Sequence, residues 1–366
     1  MKFSIINNTQ NPLCQKVVHQ ISQIFINHGH NLASDQEDLR FVFNMTDMES
    51  PQFFRRKTKA VFVISFVVTD SVNNNMRANS YRALIRSLSN LLVCIVPKNG
   101  ADDISEPELY FTTPEAGYYH FTFEPEAVYK YILPIAGAHF AIDNRLETDL
   151  PEIYWNTTPV FESIKKYGRE MDRLGILPTP FPLKDVLSDN DIDYLYRLFE
   201  VKGISYGNLS AREHIPELGN IATFWMTARG INKAHIQSIG KDVLLVKGID
   251  ALTNAVLLSV PPHYDERARV SVDAVEHALI YENFPAVGAI IHIHAWMKNI
   301  PCTRQNYPCG TRELAEEVVW LLKSTENPAA TTVGLKNHGL TITGPCLEAI
   351  FERIRGRILT EVEMYA

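Results

Sequence analysis

The sequence predicts an α/β protein built from two domains. Its 366 residues exceed the size of one ordinary domain, so each half can bury a core of its own. Apolar strand-like segments alternate with amphipathic helical segments over residues 1–150, which is typical of a largely parallel sheet. Alternate prolines near residue 180 then stop any helix. We therefore predict an α/β domain over residues 1–175, a proline-rich linker over 176–187 and a second domain over 188–366.

The first domain is predicted to alternate strands with helices. Two further helices are expected between Tyr129 and Gly175, the clearer one running from Glu162 to Leu174. No Gly-x-Gly-x-x-Gly or phosphate-loop pattern follows a predicted strand, so no nucleotide site is predicted and the role of this domain stays open. The predicted strands lie at residues 3–6, 39–44, 60–68 and 91–96, and the first two helices at 14–27 and 77–88.

Composition indicates a soluble globular protein. Apolar residues make up 46% and charged residues 21% of the chain, and no apolar run reaches the ~18 residues of a membrane helix. The net charge of −7 and the absence of a basic run give no support to nucleic-acid or membrane binding. The first residues are too polar for a signal peptide, and five cysteines without a Cys-x-x-Cys pair indicate reduced thiols. We therefore expect a cytoplasmic protein.

The segment from Ala289 to Trp296 predicts a buried strand that carries two histidines. It is apolar and β-branched, and Pro285 and Gly288 precede it. Because successive side chains of a strand alternate between faces, His292 and His294 project from the same side, roughly 6–7 Å apart. Two imidazoles on one face can bind one metal ion, and without a partner they would be costly to bury.

A third histidine and an acidic residue complete the candidate site. His338 stands before Gly339 and a strand-like segment, and three histidines with one open position are a standard catalytic zinc set. Asp273 lies in the predicted first turn of a helix that Ser271 caps, where the helix N-terminus stabilises a carboxylate. Glu276, one turn further on, is the alternative acid–base residue. A lone histidine would be interpreted as an ordinary core residue, but three histidines together favour a metal site.

Two glycine-containing turns predict an anion site. Gly207-Asn208-Leu209-Ser210 and Thr227-Ala228-Arg229-Gly230 combine polar side chains with backbone N–H groups that an anion can approach. Taken alone, each turn fits an ordinary strand connection better. Their interpretation therefore depends on the other motifs.

In combination the motifs resemble the class II aldolase/adducin family over about residues 188–366. The resemblance does not extend to the first domain. It implies a three-layer α/β/α domain with a largely antiparallel sheet, and a cyclic homo-tetramer with active sites between subunits. The blocks that follow the family's order are Gly207 to Arg212, Thr227 to Gly230, Asp273 with His277, His292-x-His294, Gly310 to Glu316, and Asn337 to Leu340.

The resemblance also implies roles for individual residues. The metal is Zn²⁺, Asp273 is the proton shuttle and Asn208 donates a hydrogen bond to the developing charge. The metal ligands are then His292, His294 and His338, and the substrate contacts are Gly207, Ser210, Thr227, Arg229, Gly230 and Ser271.

Three departures from the family pattern concern the substrate. Arg229 stands where a small hydroxyl residue is usual, and Val272 replaces one serine of a Ser-Ser pair. Arginine binds phosphate or carboxylate bidentately, so the anion site is either rebuilt or suited to an unphosphorylated substrate. Only fifteen residues separate His294 from Gly310, fewer than in the sugar-phosphate aldolases. Substrate identity therefore stays open.

The predicted function is that of a zinc-dependent aldehyde-lyase. It cleaves a small ketose-type or hydroxy-keto substrate through a metal-stabilised enediolate. An epimerase, dehydratase or decarboxylase on the same site is the alternative within the enzymes, and an aspartate at position 273 resembles the epimerase branch. A non-catalytic, adducin-like binding module is the third hypothesis, and the presence of all three histidines and the acid counts against it.

Overall fold

Two sheets organise the chain, one in each of two units. One unit comprises Met1–Ala138, Phe181–Phe199 and Glu363–Ala366, and the other comprises His139–Pro180 and Glu200–Val362. The computed structural model describes residues 1–34, 37–58, 60–70, 72, 75–98, 107–115, 117–141, 143–177, 183–198, 206–219, 222–250 and 252–364. The prolines of the predicted linker lie outside the described residues.

The first unit is built on a seven-stranded sheet with the order β2-β1-β3-β4-β5-β6-β7. Strands β1 to β5 pair in parallel, as predicted, and β6 and β7 add an antiparallel edge that the sequence did not indicate. The central strands β3 and β5 are buried throughout and are apolar except for Asn44, as expected for parallel strands covered on both faces. The strands are β1 Lys2–Asn7, β2 Asn31–Leu32, β3 Phe41–Met45, β4 Phe62–Val68, β5 Leu91–Val96, β6 Glu108–Thr112 and β7 Tyr118–Thr122.

The first two helices of the first unit begin and end within two residues of the predicted bounds. The first is capped by Asn11, whose side-chain oxygen accepts a hydrogen bond from the backbone N–H of Cys14 at 3.0 Å. Arg86 donates two hydrogen bonds to Asp191, at 2.7 and 2.8 Å, and so ties α2 to α6. The helices are α1 Pro12–Asn27, α2 Met76–Arg86, α3 Pro125–Ala136, and, further along the chain, α5 Leu183–Val186 and α6 Asp189–Leu198.

The second unit is built on an eight-stranded sheet with the order β14-β15-β13-β9-β10-β11-β12-β8. Every pair is antiparallel except β12 with β8, which confirms the predicted largely antiparallel sheet. The strands are β8 Asn144–Glu147, β9 Asn208–Arg212, β10 Phe224–Thr227, β11 Val243–Ile249, β12 Val256–Ser259, β13 Ala289–Ile293, β14 Thr332–Leu335 and β15 Gly339–Gly344.

Helices cover both faces of this second sheet, so the predicted three-layer arrangement is confirmed. On one face, α7 and α8 pack on an apolar cluster that includes Met226, Tyr281 and Leu314. On the other face α4 and α9 pack together, where the rings of Tyr167 and Phe351 stack at 4.8 Å. The helices of this unit are α4 Pro159–Arg173, α7 Ala274–Asn283, α8 Arg312–Lys323 and α9 Leu347–Ile354.

The units do not follow the predicted domain boundaries. Strand β8 pairs with β12 and helix α4 packs against β9, so residues 139–177 join the second sheet and not the first. Helix α6 falls within the predicted second domain, but its ion pair with α2 and its packing place it in the first unit. Helical periodicity alone carries no information about which sheet a helix covers.

One predicted helix end also differs from the structure. Apolar residues at helical spacing predict a last helix from Cys346 to about Met364, but α9 ends at Ile354 because Gly356 adopts a left-handed conformation with φ +70°. Leu359 then pairs with Trp296 through two backbone hydrogen bonds of 2.8 Å.

Among the described residues, no helix is long and apolar enough to cross a membrane.

Candidate active site

Three neighbouring strands and one helix form the candidate site. Asn208 of β9 lies opposite His292 of β13, which lies opposite Thr341 of β15. Because residues directly opposite each other point to the same face, the three side chains form a row on one face of the sheet. Helix α7 covers this row and brings Asp273 and Glu276 against it. Antiparallel register therefore assembles residues that are far apart in sequence.

The three predicted histidines meet at one end of this row. His294 follows directly after β13, and His338 ends the three-residue turn between β14 and β15, where Asn337 has φ +57°. One ring nitrogen of each histidine lies within 4.8 Å of the other two, and the Nε2 atoms of His294 and His338 are 3.2 Å apart. All three side chains are buried. The structure thus brings together the three residues that the sequence singled out as metal ligands.

Their protonation state suits metal binding. Burial lowers the pKa of His292, and burial together with the neighbouring histidines lowers the pKa values of His294 and His338 well below the usual range. Neutral imidazole is the form that binds a metal. The Nδ1 atom of His292 donates a hydrogen bond to the carbonyl oxygen of Leu340 at 3.1 Å, which leaves Nε2 with its lone pair.

Unsatisfied buried atoms test whether a metal fits here. Among the described atoms, His292 Nε2 and His294 Nδ1 are buried without a hydrogen-bond partner. Orphaned buried nitrogen atoms are costly unless another ligand satisfies them. A cation bound by His292 Nε2 would satisfy that atom and would also separate the two facing Nε2 atoms of His294 and His338. The donor set and its geometry therefore fit a zinc ion.

The predicted catalytic pair lies beside the histidines. Asn208 donates hydrogen bonds from Nδ2 to the carboxylate of Asp273 at 2.7 Å and to the hydroxyl of Ser271 at 3.1 Å. Asp273 is the N-cap residue of α7, not a first-turn residue as predicted, and its side chain makes no capping hydrogen bond. The predicted cap, Ser271, instead donates to Asp273 at 3.3 Å. The carboxylate is thus directed to the site and not to its own helix.

Glu276 is placed differently from Asp273. Its carboxylate is fully enclosed and accepts a hydrogen bond from the hydroxyl of Thr341 at 2.5 Å. Burial, with a further contribution from the charge of Asp273, raises the pKa of Glu276 to about 8. Glu276 is therefore a neutral carboxylic acid at pH 7, and this argues against its being the general base.

This raised pKa predicts a pH-dependent stability in the metal-free protein. Between its ordinary pKa near 4.5 and its folded pKa of about 8, the folded state holds a proton that the unfolded state has lost. The contribution of Glu276 to stability is thus present below pH 4.5 and is lost as the pH rises through 8. We expect Glu276→Gln to exceed wild type in free energy of unfolding by on the order of a few kcal/mol at pH 9, with no difference at pH 4.

Urea unfolding of chelator-treated protein across this pH range measures the effect. The matched control is Glu352→Gln, which changes an exposed glutamate of α9 and should follow the wild-type curve at every pH. A Glu276→Gln curve parallel to wild type would contradict the raised pKa.

The predicted anion-binding turns are only partly directed to the site. Gly207 has φ +76°, and a side chain there would overlap the carbonyl oxygen of His292, so only glycine lets the turn approach this strand. The hydroxyl of Ser210 is enclosed by hydrogen bonds to His277 and Tyr281, at 2.7 and 2.8 Å. This placement favours a structural role for Ser210 over the predicted substrate contact.

The second turn lies against the segment that precedes α7. The N–H of Ser271 donates to the carbonyl oxygen of Thr227 at 3.4 Å, and the N–H of Arg229 donates to that of Arg269 at 2.7 Å. The hydroxyl of Thr227 accepts a hydrogen bond from the N–H of Leu209 at 3.2 Å, so it is engaged within the sheet. Half-buried Arg229 and Gly230, which has φ +68°, and Ser271 remain the predicted anion contacts.

Two site residues were missed by the sequence interpretation. Lys233 is buried, and burial lowers its pKa to about 7 while the charge of Asp273 acts in the opposite direction. The sulfur of Cys309 lies 3.2 Å from Nε2 of His338. Neither residue belongs to a periodic pattern or a spaced motif, so only the folded structure brings them to the site.

Comparison with known proteins agrees with the sequence resemblance. Residues 193–297 match the family described as Class II Aldolase and Adducin N-terminal domain, so the resemblance is confirmed over that span. The match includes Asn208, Asp273, His292 and His294, and it ends before His338 and Thr341. No curated protein sequence matches the chain.

Several solved structures are distantly similar. YgbL from Klebsiella pneumoniae, a proposed aldolase/epimerase/decarboxylase, is 16% identical with a TM-score of 0.34, over 54% of this chain and 83% of that one. L-fuculose 1-phosphate aldolase from Glaciozyma antarctica PI12 is 15% identical with a TM-score of 0.33, over 53% and 68%. An aldolase II superfamily protein from Pseudomonas syringae is 15% identical with a TM-score of 0.34, over 54% and 72%. These similarities are too distant to carry an argument about activity.

Proposed function

We propose that the protein is a zinc-dependent lyase. The proposal is based on the match to the class II aldolase/adducin family and on the histidine site described above. It cleaves a carbon–carbon bond of a small ketose-type or hydroxy-keto substrate by way of an enediolate. The observation that carries the proposal is the buried group of His292, His294 and His338 next to the hydrogen-bonded pair of Asn208 and Asp273. A zinc ion bound there supplies Lewis acidity, which stabilises negative charge on substrate oxygens.

Asp273 is assigned the proton transfer. Its carboxylate is held by Asn208 Nδ2 at 2.7 Å, so its position is fixed before substrate binds. It is 5% exposed, whereas the neighbouring Glu276 is enclosed and protonated at neutral pH. A positioned base contributes roughly 10²–10⁴-fold to a rate. Asn208 has a second role, because its Nδ2 atom can exchange the hydrogen bond to Ser271 for one to the developing charge of the substrate.

The substrate is proposed to be anionic. Arg229, Gly230 and Ser271 lie on two backbone segments that are joined by hydrogen bonds beside Asp273. The guanidinium group suits a phosphate or a carboxylate, and the same placement serves either.

We further propose that the protein is a cytoplasmic homo-oligomer. The cysteines are free thiols, which agrees with that compartment.

A substrate screen with the zinc-loaded protein tests the proposal. Ketose 1-phosphates and hydroxy-keto acids are incubated with the protein, and released aldehyde is measured with a coupled reductase. The control is the same preparation stripped with a chelator and then reloaded, which should lose and regain activity. Aldehyde release that depends on zinc supports the lyase. If the zinc-dependent product is instead an epimerised, dehydrated or decarboxylated substrate, the protein is an epimerase, a dehydratase or a decarboxylase and not a lyase of this kind. Tight partner binding without turnover or bound metal would favour an adducin-like module.

A further inference from the structure

We propose that Cys309 is an exchangeable fourth ligand of the metal site, which closes the open coordination position when no substrate is bound. The inference rests on the proposed zinc site of His292, His294 and His338. It concerns a residue outside the predicted ligand set. A site of three histidines and one thiolate is coordinatively complete, whereas catalysis needs one position for the substrate.

The distances around His338 carry the first step. Its Nε2 atom lies 3.2 Å from the Nε2 atom of His294 and 3.2 Å from the sulfur of Cys309. Ligands of one tetrahedral zinc ion are separated by about 3.3–3.6 Å, given zinc–nitrogen and zinc–sulfur bonds of about 2.0–2.3 Å. The sulfur is farther from Nδ1, at 3.8 Å, so it faces the nitrogen atom that points to His294. Cys309 thus stands beside His338 much as a neighbouring ligand would.

The backbone around Cys309 is fixed on both sides. The hydroxyl of Thr311 donates to the carbonyl oxygen of Pro308 at 2.8 Å, and the carbonyl oxygen of Gly310 accepts from the N–H of Ala141 at 2.8 Å. Gly310 has φ +74°, and a side chain there would come within 2.9 Å of Val272. The short connection from His294 therefore presents Cys309 to the histidines from a well-defined turn. The turn also touches the residue that precedes Asp273.

The side chain provides the exchange. The group of ligand atoms that all lie within 4.8 Å of one another contains only nitrogen atoms of the three histidines. The sulfur of Cys309 is therefore close to His338 but is not within this distance of all three histidines. Rotation of a cysteine between staggered χ1 positions moves its sulfur by about 3 Å. Cys309 is half-buried, whereas the three histidines are buried. We assign the open and the closed state of the metal position to two of these rotamers.

The chemistry of exchange involves no oxidation or reduction. Binding forms one metal–sulfur bond and releases the thiol proton to solvent. Substrate oxygens that enter the same position break that bond, and the thiolate regains a proton. Because the thiolate must be displaced, Cys309 lowers the affinity for substrate and raises the affinity for metal in the substrate-free protein.

Cobalt(II) titration of the metal-free protein tests this inference without an activity assay. A cobalt-bound thiolate gives a charge-transfer band in the near ultraviolet, whereas cobalt bound by histidines alone gives only visible bands. We expect both kinds of band in wild type, and we expect Cys309→Ser to keep the visible bands and lose the charge-transfer band. The matched control is Cys346→Ser, which changes an exposed cysteine at the start of α9 and should match wild type.

The outcomes separate this inference from the proposed function. Visible cobalt bands without a charge-transfer band in wild type would overturn the role of Cys309 and leave the histidine site standing. Failure of wild type to bind cobalt at all would overturn both. Competition against a chelator should show zinc bound roughly 10–100-fold more weakly by Cys309→Ser than by Cys346→Ser, and equal affinities would count against ligation.

A second measurement tests exchange. Acetohydroxamate, a bidentate oxygen ligand, is added to the cobalt-loaded wild type. Loss of the charge-transfer band together with a change in the visible bands supports a displaceable thiolate. A charge-transfer band that persists while the visible bands change would show that Cys309 stays bound, and it would overturn the exchange.

Discussion

His294→Ala is expected to remove zinc from the protein and to abolish activity. The substitution deletes one of three ligands. The two that remain, His292 and His338, are fewer than the three protein ligands that a catalytic zinc site has. Wild type should hold about one zinc per chain, and the variant should lose at least 10²-fold in affinity. Elemental analysis after gel filtration measures the content, and aldehyde release measures turnover.

The fold should survive this substitution. His294 Nδ1 has no hydrogen-bond partner among the described atoms, and its Nε2 atom faces only the nitrogen atom of His338 within hydrogen-bonding distance. Removing the ring therefore breaks only one of the observed hydrogen bonds of the metal-free protein, the one to His338. Chelator-treated wild type and variant should have similar thermal midpoints. Excess zinc should then stabilise wild type alone, by about 4 kcal/mol at a concentration 1,000-fold above Kd.

A second buried histidine provides the matched control. His277 lies on the same face of the sheet, but its Nδ1 atom is hydrogen-bonded to Ser210 and it is outside the ligand group. Burial lowers the pKa of His277 to about 3, so it is neutral, as the ligands are. His277→Asn should keep its zinc. Full zinc content in His294→Ala, or loss of zinc in the control alone, would refute the ligand assignment.

The sequence predicted the parts of this site that depend on local geometry. His292 and His294 are two residues apart in an apolar strand, and the period of a strand directs both to one face. His338 precedes a glycine at a turn, and it was grouped with the other two because three histidines with one open position are a standard catalytic zinc set. The largely parallel sheet of the first unit followed from the alternation of strands with helices.

What the sequence did not predict depends on contacts between distant segments. Cys309 and His338 are 29 residues apart, and no spacing rule joins a turn before one helix to a turn between two strands. The enclosure of Ser210 by α7 likewise requires the register of β9 with β13. The sequence grouped the residues of α6 with the second domain, whereas the helix belongs to the first unit, because helical periodicity does not specify a packing partner. Local patterns specify elements, whereas packing decides which polar groups are enclosed and which meet.

Asp273→Asn is expected to keep the metal and lose turnover. The substitution is nearly isosteric, and the new side-chain oxygen can still accept the hydrogen bond from Asn208. It cannot take up a proton, so we expect the turnover rate to fall by roughly 10²–10⁴-fold while zinc content stays at the wild-type level. A stopped assay for aldehyde release, run beside elemental analysis, separates this loss from loss of metal.

Glu276→Gln decides between the two carboxylates. If Asp273 is the base, Glu276→Gln should retain most of the turnover at pH 7, because Glu276 is already protonated there and its hydrogen bond with Thr341 survives. The opposite pattern is normal turnover in Asp273→Asn with loss of turnover in Glu276→Gln. It would assign the role of general base to Glu276. That outcome would also require Glu276 to be ionised near pH 7, and the excess of Glu276→Gln over wild type in free energy of unfolding at pH 9 would then be smaller than predicted above. Catalysis and stability thus test the same carboxylate independently.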